Sequence, residues 1–186
     1  MSRKYKFQDQ DKLYFVSFAV VYWIDLFIRS EYKNILLDSW NHCITHKGME
    51  LYGYCIMTSH VHMILGKQVK NMEDIMRDMK RHTSHQLKDS IHNNSTESRK
   101  EWMLWLMQRT GRRNSNNSDF QLWQQDNHPI QLNNPKGAHQ KLDYAHYNPV
   151  VSGIVEKPED YLYSSARNYY GMKGLIDVIL LDPLVM

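Results

Sequence analysis

Apolar and polar positions alternate along this chain in two rhythms, and their order predicts the fold. The run LYFVSFAVVYW, 13–23, is rich in Val, Phe and Tyr, and its length predicts a buried strand. SEYKNILLDSWNHCITHK, 30–47, instead places Ile35, Leu36, Trp40, Cys43 and Ile44 at helical spacing, with Ser30 as cap and Gly48 as stop. MELYGYCIMTSHVHMILGK then predicts two strands, about 49–57 and 61–67, joined tightly through Thr58 and Ser59. A second helix over 71–93 carries apolar residues at 72, 75, 76, 79 and 87 and a basic outer face.

Beyond residue 93 the chain turns polar. NNSTES and GRRNSNNSD predict loops on either side of a short helix in RKEWMLWLMQRT. FQLWQQDNHPIQL, 120–132, predicts a strand or irregular ribbon, and a third long helix over about 136–147 is expected to stop near Pro149. A last short helix is expected from Pro158 to about Tyr169. Strand, helix, two strands and a helix make most of a split βαβ unit, so the expected class is α+β and ferredoxin-like, with an antiparallel sheet and helices on one face. There is no internal repeat and no convincing boundary within the 186 residues, so one domain is expected over 1–186, with a C-terminal extension over about 155–186.

Composition narrows the class. A hydrophobic fraction of 42% supplies a core, while a mean hydropathy of -0.62 describes a strongly polar surface. The most apolar early run, 13–24, is shorter than the roughly 20 residues a membrane span needs and has no cleavage signature. Cys43 and Cys55 form no disulfide or metal-binding pattern, which suits a reduced cytoplasm. The net charge of +3 and isoelectric point near 8.7 say little alone. Between 77 and 113, however, nine Lys or Arg meet four Asp or Glu, the clustering a phosphate-binding face needs and also one a solvated helix shows.

Two motifs carry the candidate chemistry. In YCIMTSHVHMIL, 54–65, His60 and His62 are two apart on a predicted strand, so both rings project from the same side of the sheet. Such a pair presents two imidazoles to one divalent ion, or each satisfies local hydrogen bonds; two nitrogens alone are too few for a metal site. In KLDYAHYNPV, 141–150, Tyr144 and Asn148 share a helix face one turn apart, offering a phenol and an amide oxygen, or an aromatic anchor and a helix-end cap. Lys141, three residues before Tyr144, shares that face. His146 falls on another face, which suits packing or capping, as Asp143 suits the surface. His82 and His85 sit on a basic helix with no third ligand nearby, and Trp123 is better placed in the core than on an unpaired base.

Taken together, the stretch YCIMTSHVHMIL and, some eighty residues on, LDYAHYNPVVSGIVEKPEDYLYSS resemble the HUH class of single-tyrosine transposases, most closely the REP-associated tyrosine transposases. LWQQD, 122–126, resembles that family's Trp-Gln segment, and the likeness runs from about Leu13 to Tyr170. The resemblance implies a ferredoxin-like sheet with the tyrosine helix beside the histidine strand. It implies His60, His62 and Asn148 as ligands of Mg²⁺ or Mn²⁺ and Tyr144 as nucleophile. It further implies cleavage and rejoining of single-stranded DNA at hairpin repeats through a 5′-phosphotyrosine. Lys80, Arg81, Arg112, Arg113 and Lys141 are the expected DNA contacts, with Arg112 and Arg113 in a Gly/Asn/Ser loop. Thr58-Ser59 stands where the family has Pro-Asn, Tyr147 where it has a polar residue and Val151 where it has a basic one. These departures bear on DNA contact, not on the proposed ligands. A non-catalytic DNA-binding domain of the same fold and a hydrolase in which water attacks are the alternatives, and monomer and homodimer both remain open. The expected location is the cytoplasm, on the nucleoid when bound to DNA.

Overall fold

The computed structural model describes residues 7–114, 119–125 and 129–183; 115–118 of the Gly/Asn/Ser loop and 126–128 of the ribbon lie outside the described residues. Four strands, β1 (Leu13–Ala19), β2 (Met49–Ile56), β3 (His60–Lys67) and β4 (Ile130–Leu132), pair antiparallel in the order β2-β3-β1-β4. This is the α+β, ferredoxin-like arrangement, in which β1 enters between the strands of the two halves.

Strand alternation sorts the sheet into two faces. Tyr14, Val16, Phe18, Tyr54, Val61, Met63 and Leu65 pack under α1 (Ser30–Lys47), α2 (Met72–Asn93) and α3 (Lys100–Arg112), forming the larger core. Phe15, Cys55 and Ile64 point the other way and pack against Ala138, Leu142 and Ala145 of α4 (Pro135–Val151). His60 and His62 belong to this second face, in register with Ala19 and Ser17. The tyrosine-bearing helix thus covers the histidine side, and the other long helices cover the opposite side.

α1 takes the expected bounds. Gly48, at φ 68, donates its N–H to the Cys43 carbonyl, a left-handed cap that glycine adopts without steric penalty. The cap position at the other end is Arg29, so Ser30 is the first helical residue and not the cap.

β1 is shorter than expected. The run to 23 leaves the ladder after Ala19: Val20 donates to Ser59 O at 2.9 Å and bridges to Trp123, and Val21 donates to Leu122 O at 2.8 Å. A 3-10 turn, Val21–Trp23, follows, and Tyr22 and Trp23 both have φ 56. Left-handed backbone at a bulky residue costs on the order of 1–3 kcal/mol. The buried residues around them, Val21, Ile24, Leu26 and Phe27, hold the turn in place.

α4 corrects another expectation by running through Pro149. Asn134 caps its start, accepting from Gly137 N–H at 2.8 Å, with Pro135 as first residue. Pro149 belongs to the buried stripe Ala138, Leu142, Ala145, His146 and Pro149, and this packing offsets the hydrogen bond that proline withholds from Ala145. The stop lies at Gly153, φ 70, where Ile154 N–H reaches Pro149 O and Gly153 N–H reaches Val150 O, both at 2.9 Å.

The helix expected over 158–169 is divided into a 3-10 turn, Pro158–Asp160, and α5 (Ala166–Tyr169). The turn between them bridges to β2 at Ser164 and Cys55: Ile56 N–H donates to Tyr163 O at 2.9 Å and Ser165 N–H to Tyr54 O at 3.0 Å. An otherwise open sheet edge is thereby paired. Between α2 and α3, the Glu97 carboxylate is fully buried and accepts from Arg29 Nε at 2.8 Å and from Arg99 Nε and Nη2 at 2.9 Å. Among the described residues no helix is long and apolar enough to cross a membrane.

Candidate active site

His60 and His62 open β3 immediately after the two-residue turn at Thr58 and Ser59. That turn needs no Pro-Asn, because Thr58 O accepts from Phe27 N–H at 2.8 Å, Ser59 O accepts from Val20 N–H, and Met57 N–H closes onto His60 O at 2.8 Å. The two imidazole centroids are 4.8 Å apart. Phe15 stacks on His62 at 5.4 Å and fixes its plane.

α4 brings the second motif over this pair. The Asn148 side-chain amide lies 3.1 Å from His62 Nε2, and the Tyr144 ring stands edge-on to His62 at 5.2 Å and to Phe15 at 6.1 Å. Tyr144 is 53% exposed, so its phenol faces solvent. Lys141 Nζ sits 5.7 Å from the Tyr144 centroid and 5.2 Å from that of Phe15. Thus His60, His62, Tyr144, Asn148 and Lys141, separate in sequence by up to some eighty residues, meet within one chain.

The electrostatics favour lone-pair donation. Burial, followed by neighbouring His60 and Lys141, pushes the His62 imidazole down to about 3, and burial lowers His60 below the usual histidine range. Both rings are therefore neutral at pH 7, as ligation requires. His62 Nδ1 is buried with no hydrogen-bond partner among the described residues, and His60 Nδ1 approaches Ser59 Oγ at 3.3 Å. His62 Nε2, met by the Asn148 amide, beside a second neutral imidazole is a donor set that fits a divalent ion carried on two nitrogens and one amide oxygen. Among the described residues, no group of three His, Cys, Asp or Glu side chains could hold a metal, and His82 and His85 are exposed on α2.

Other expected contacts lie elsewhere. Arg81 on α2 and Arg112 and Arg113 at the end of α3 are exposed on the helical layer across the sheet from Tyr144. Arg112 is the last residue of α3 and Arg113 its cap, not loop residues. Lys80 is tied inward: it donates to Gln124 O at 2.9 Å and lies over the Phe18 ring at 5.4 Å. Trp123 is in the core, donating from Nε1 to Thr83 Oγ1 at 3.0 Å and stacking on Phe27 at 5.7 Å.

Three residues that position the site escaped the sequence reading. Phe15 had a signal, since alternation in β1 places it on the histidine face. Gly53 sits at a register shift in β2, where an added Cβ would stand 2.5 Å from Leu142 Cδ1; its bareness lets α4 approach the sheet. Ser165 Oγ accepts from Tyr54 N–H at 2.8 Å and lies 2.8 Å from His146 Nε2, tying α4 to the β2 edge. Burial holds His146 down to about 4, so this packing histidine is neutral.

Compared with known proteins, residues 17–108 match the family described as IS200-like transposases. Among solved structures, the chain is similar over its whole length to the whole of a REP-associated tyrosine transposase bound to a REP hairpin, with 14% identity and a TM-score of 0.64. A putative transposase from Deinococcus radiodurans matches 48% of this chain and 67% of its own, with 21% identity and a TM-score of 0.37. No curated protein matches.

Proposed function

We propose, taking the match of residues 17–108 to the IS200-like transposases as premise, that this chain cleaves and rejoins single-stranded DNA at hairpin-bearing repeats through Tyr144. The observation that carries this reading is the meeting of Asn148 and His62 at 3.1 Å beside the exposed Tyr144 phenol. His60, His62 and the Asn148 amide oxygen would hold Mg²⁺ or Mn²⁺. When bound, such an ion supplies charge neutralisation on the scissile phosphate. The Tyr144 oxygen attacks phosphorus in line as its proton passes to solvent water; the bond from phosphorus to the 3′-oxygen breaks, and that oxygen takes a proton from water and leaves as a 3′-hydroxyl. The chain is then esterified to the 5′-phosphate. A second 3′-hydroxyl reverses the step, so rejoining needs no external energy source.

Lys141, over the Tyr144 ring, adds a cation next to the reacting phosphate. Arg81, Arg112 and Arg113 face away from it, and we assign them to the phosphates of the hairpin stem or flanking strand. One chain holds a whole site, so the working unit proposed is a monomer. Incubation with Mg²⁺ or Mn²⁺ and a panel of repeat-derived hairpins should yield a DNA–protein adduct that mass spectrometry locates on Tyr144 and that chelation prevents. Free 5′-phosphate ends without an adduct, or hairpin binding without cleavage, would overturn the proposal.

Gly53 offers a test of geometry. Gly53→Ala crowds the Leu142 Cδ1 methyl, which must turn aside or carry α4 outward; displacement of α4 should slow adduct formation by about 10–100-fold, the scale on which small misplacements act. Overpacking of this kind costs about 1–3 kcal/mol, so thermal unfolding would show a folded protein of reduced Tm. An unchanged cleavage rate would show that α4 does not depend on this close approach.

A further inference from the structure

Tyr22 and Trp23 are the two most conspicuous residues that the proposed chemistry leaves unused. Val21 of the same turn and Ile24, Leu26 and Phe27 just after it are all buried, yet Tyr22 is 52% and Trp23 59% exposed. Both hold left-handed backbone, φ 56, at side chains that disfavour it. The conformation is imposed from both sides: Trp23 N–H donates to Val20 O at 3.0 Å, Val21 N–H to Leu122 O, and Phe27 N–H to Thr58 O, the turn that introduces the histidines. A fold that strains its backbone to keep two large apolar rings in water has a use for them there.

Their position says what the use is. The Trp23 ring meets His60 edge-on at 5.5 Å, and His60 in turn meets His62 at 4.8 Å, so the indole continues the line of rings that ends at Tyr144. The 3-10 turn also packs against α3, which carries Arg109 and Arg112 and is capped by Arg113. The exposed indole therefore sits beside the reacting centre, on a turn that packs against a basic helix. An aromatic face of that kind, adjoining a phosphate-handling site, matches the flat, sequence-tolerant surface of an unpaired nucleobase.

We propose that Trp23 is a stacking platform for one unpaired base of the DNA strand next to the scissile phosphate. The assignment rests on the proposed strand-cleavage function and identifies how that site grips its substrate. The base stacks on the indole, the phosphate beside it reaches His60 and Tyr144, and the strand enters with one nucleotide held at a fixed distance from the nucleophile. Recognition through a π-face does not choose among the four bases. Choice of sequence then falls to other contacts.

Fluorescence anisotropy with a short labelled oligo-dT, and with the same strand carrying one abasic nucleotide walked along it, tests this. Trp23→Ala should weaken binding of the intact strand about tenfold, while Trp23→Phe should retain most of it. At one abasic position the wild-type protein should lose a similar amount, and Trp23→Ala should lose nothing more there. Trp23→Gly separates stacking from a structural role: it relieves the left-handed strain, so its Tm should equal or exceed wild type while its DNA binding falls like that of Trp23→Ala. If wild type binds the strand and forms the Tyr144 adduct but Trp23→Ala matches it within twofold on every strand, the platform is refuted and the function stands. If wild type neither binds single strands nor forms an adduct with repeat hairpins, the function itself fails and the platform falls with it.

Discussion

Replacing Tyr144 by phenylalanine is expected to abolish covalent attachment to DNA, a fall of at least about 10⁴-fold in cleavage, as when a nucleophile is removed from a site whose members act together. The change removes a single oxygen. The ring still stands on His62 and Phe15 and beneath Lys141, so the helix, the histidines and the ammonium group keep their places. Hairpin binding should therefore stay within about twofold of wild type, because one exposed hydroxyl contributes little beside the phosphate contacts. A labelled hairpin run on a denaturing gel reads the adduct, and anisotropy reads the binding. Persistence of the adduct in Tyr144→Phe would transfer the nucleophile to another exposed phenol, Tyr147 being nearest in sequence, and would overturn the assignment.

The second large effect is on stability. Glu97→Gln keeps the shape of a fully buried side chain but removes the charge shared by Arg29 and Arg99. Breaking a buried ion pair on one side typically costs 3–5 kcal/mol; because both guanidinium groups are partly exposed and can rehydrate, about 3 kcal/mol is expected. For a chain of this size that lowers Tm by about 6–12 °C. The acid dependence has a definite sign. The arginine hydrogen bonds hold the Glu97 carboxyl down at about 2, below its ordinary 4.5. Its contribution is complete above pH 4.5 and is lost as pH falls from there toward 2. The stability gap between wild type and Glu97→Gln should accordingly narrow across that window, and a constant gap would show that the carboxylate is not what the variant removed.

Much of the fold was legible because periodicity is a local signal. The bounds of α1 and the turn at Thr58 and Ser59 follow from residues within a few positions of one another. His60 and His62 face the same way in the structure for the reason that made them candidates, the period of two along a strand. The misreadings share one cause, which is that a distant segment outweighed a local preference. Pro149 stays helical because Ala145 and His146 pack beside it, and β1 ends at Ala19 because Ser59 and Leu122 capture the next two amides. The basic cluster over 77–113 reads as one face in sequence, yet Lys80 turns inward while Arg81, Arg112 and Arg113 lie across the sheet from the phenol. Gly53 and Ser165 were silent because nothing local shows that α4, some ninety residues after the first and about twenty before the second, needs room above Gly53 and a tether from Ser165.

The seating of α4 over the sheet of its own chain limits how many DNA ends can be handled at once. Among the described residues, Tyr144 is the one phenol that packs on the histidine pair, so on the proposed chemistry one molecule stores one severed end. Exchange between two ends by a single molecule is then serial: the first must be passed to a waiting 3′-hydroxyl before the second can be taken. Simultaneous custody of both would require two molecules.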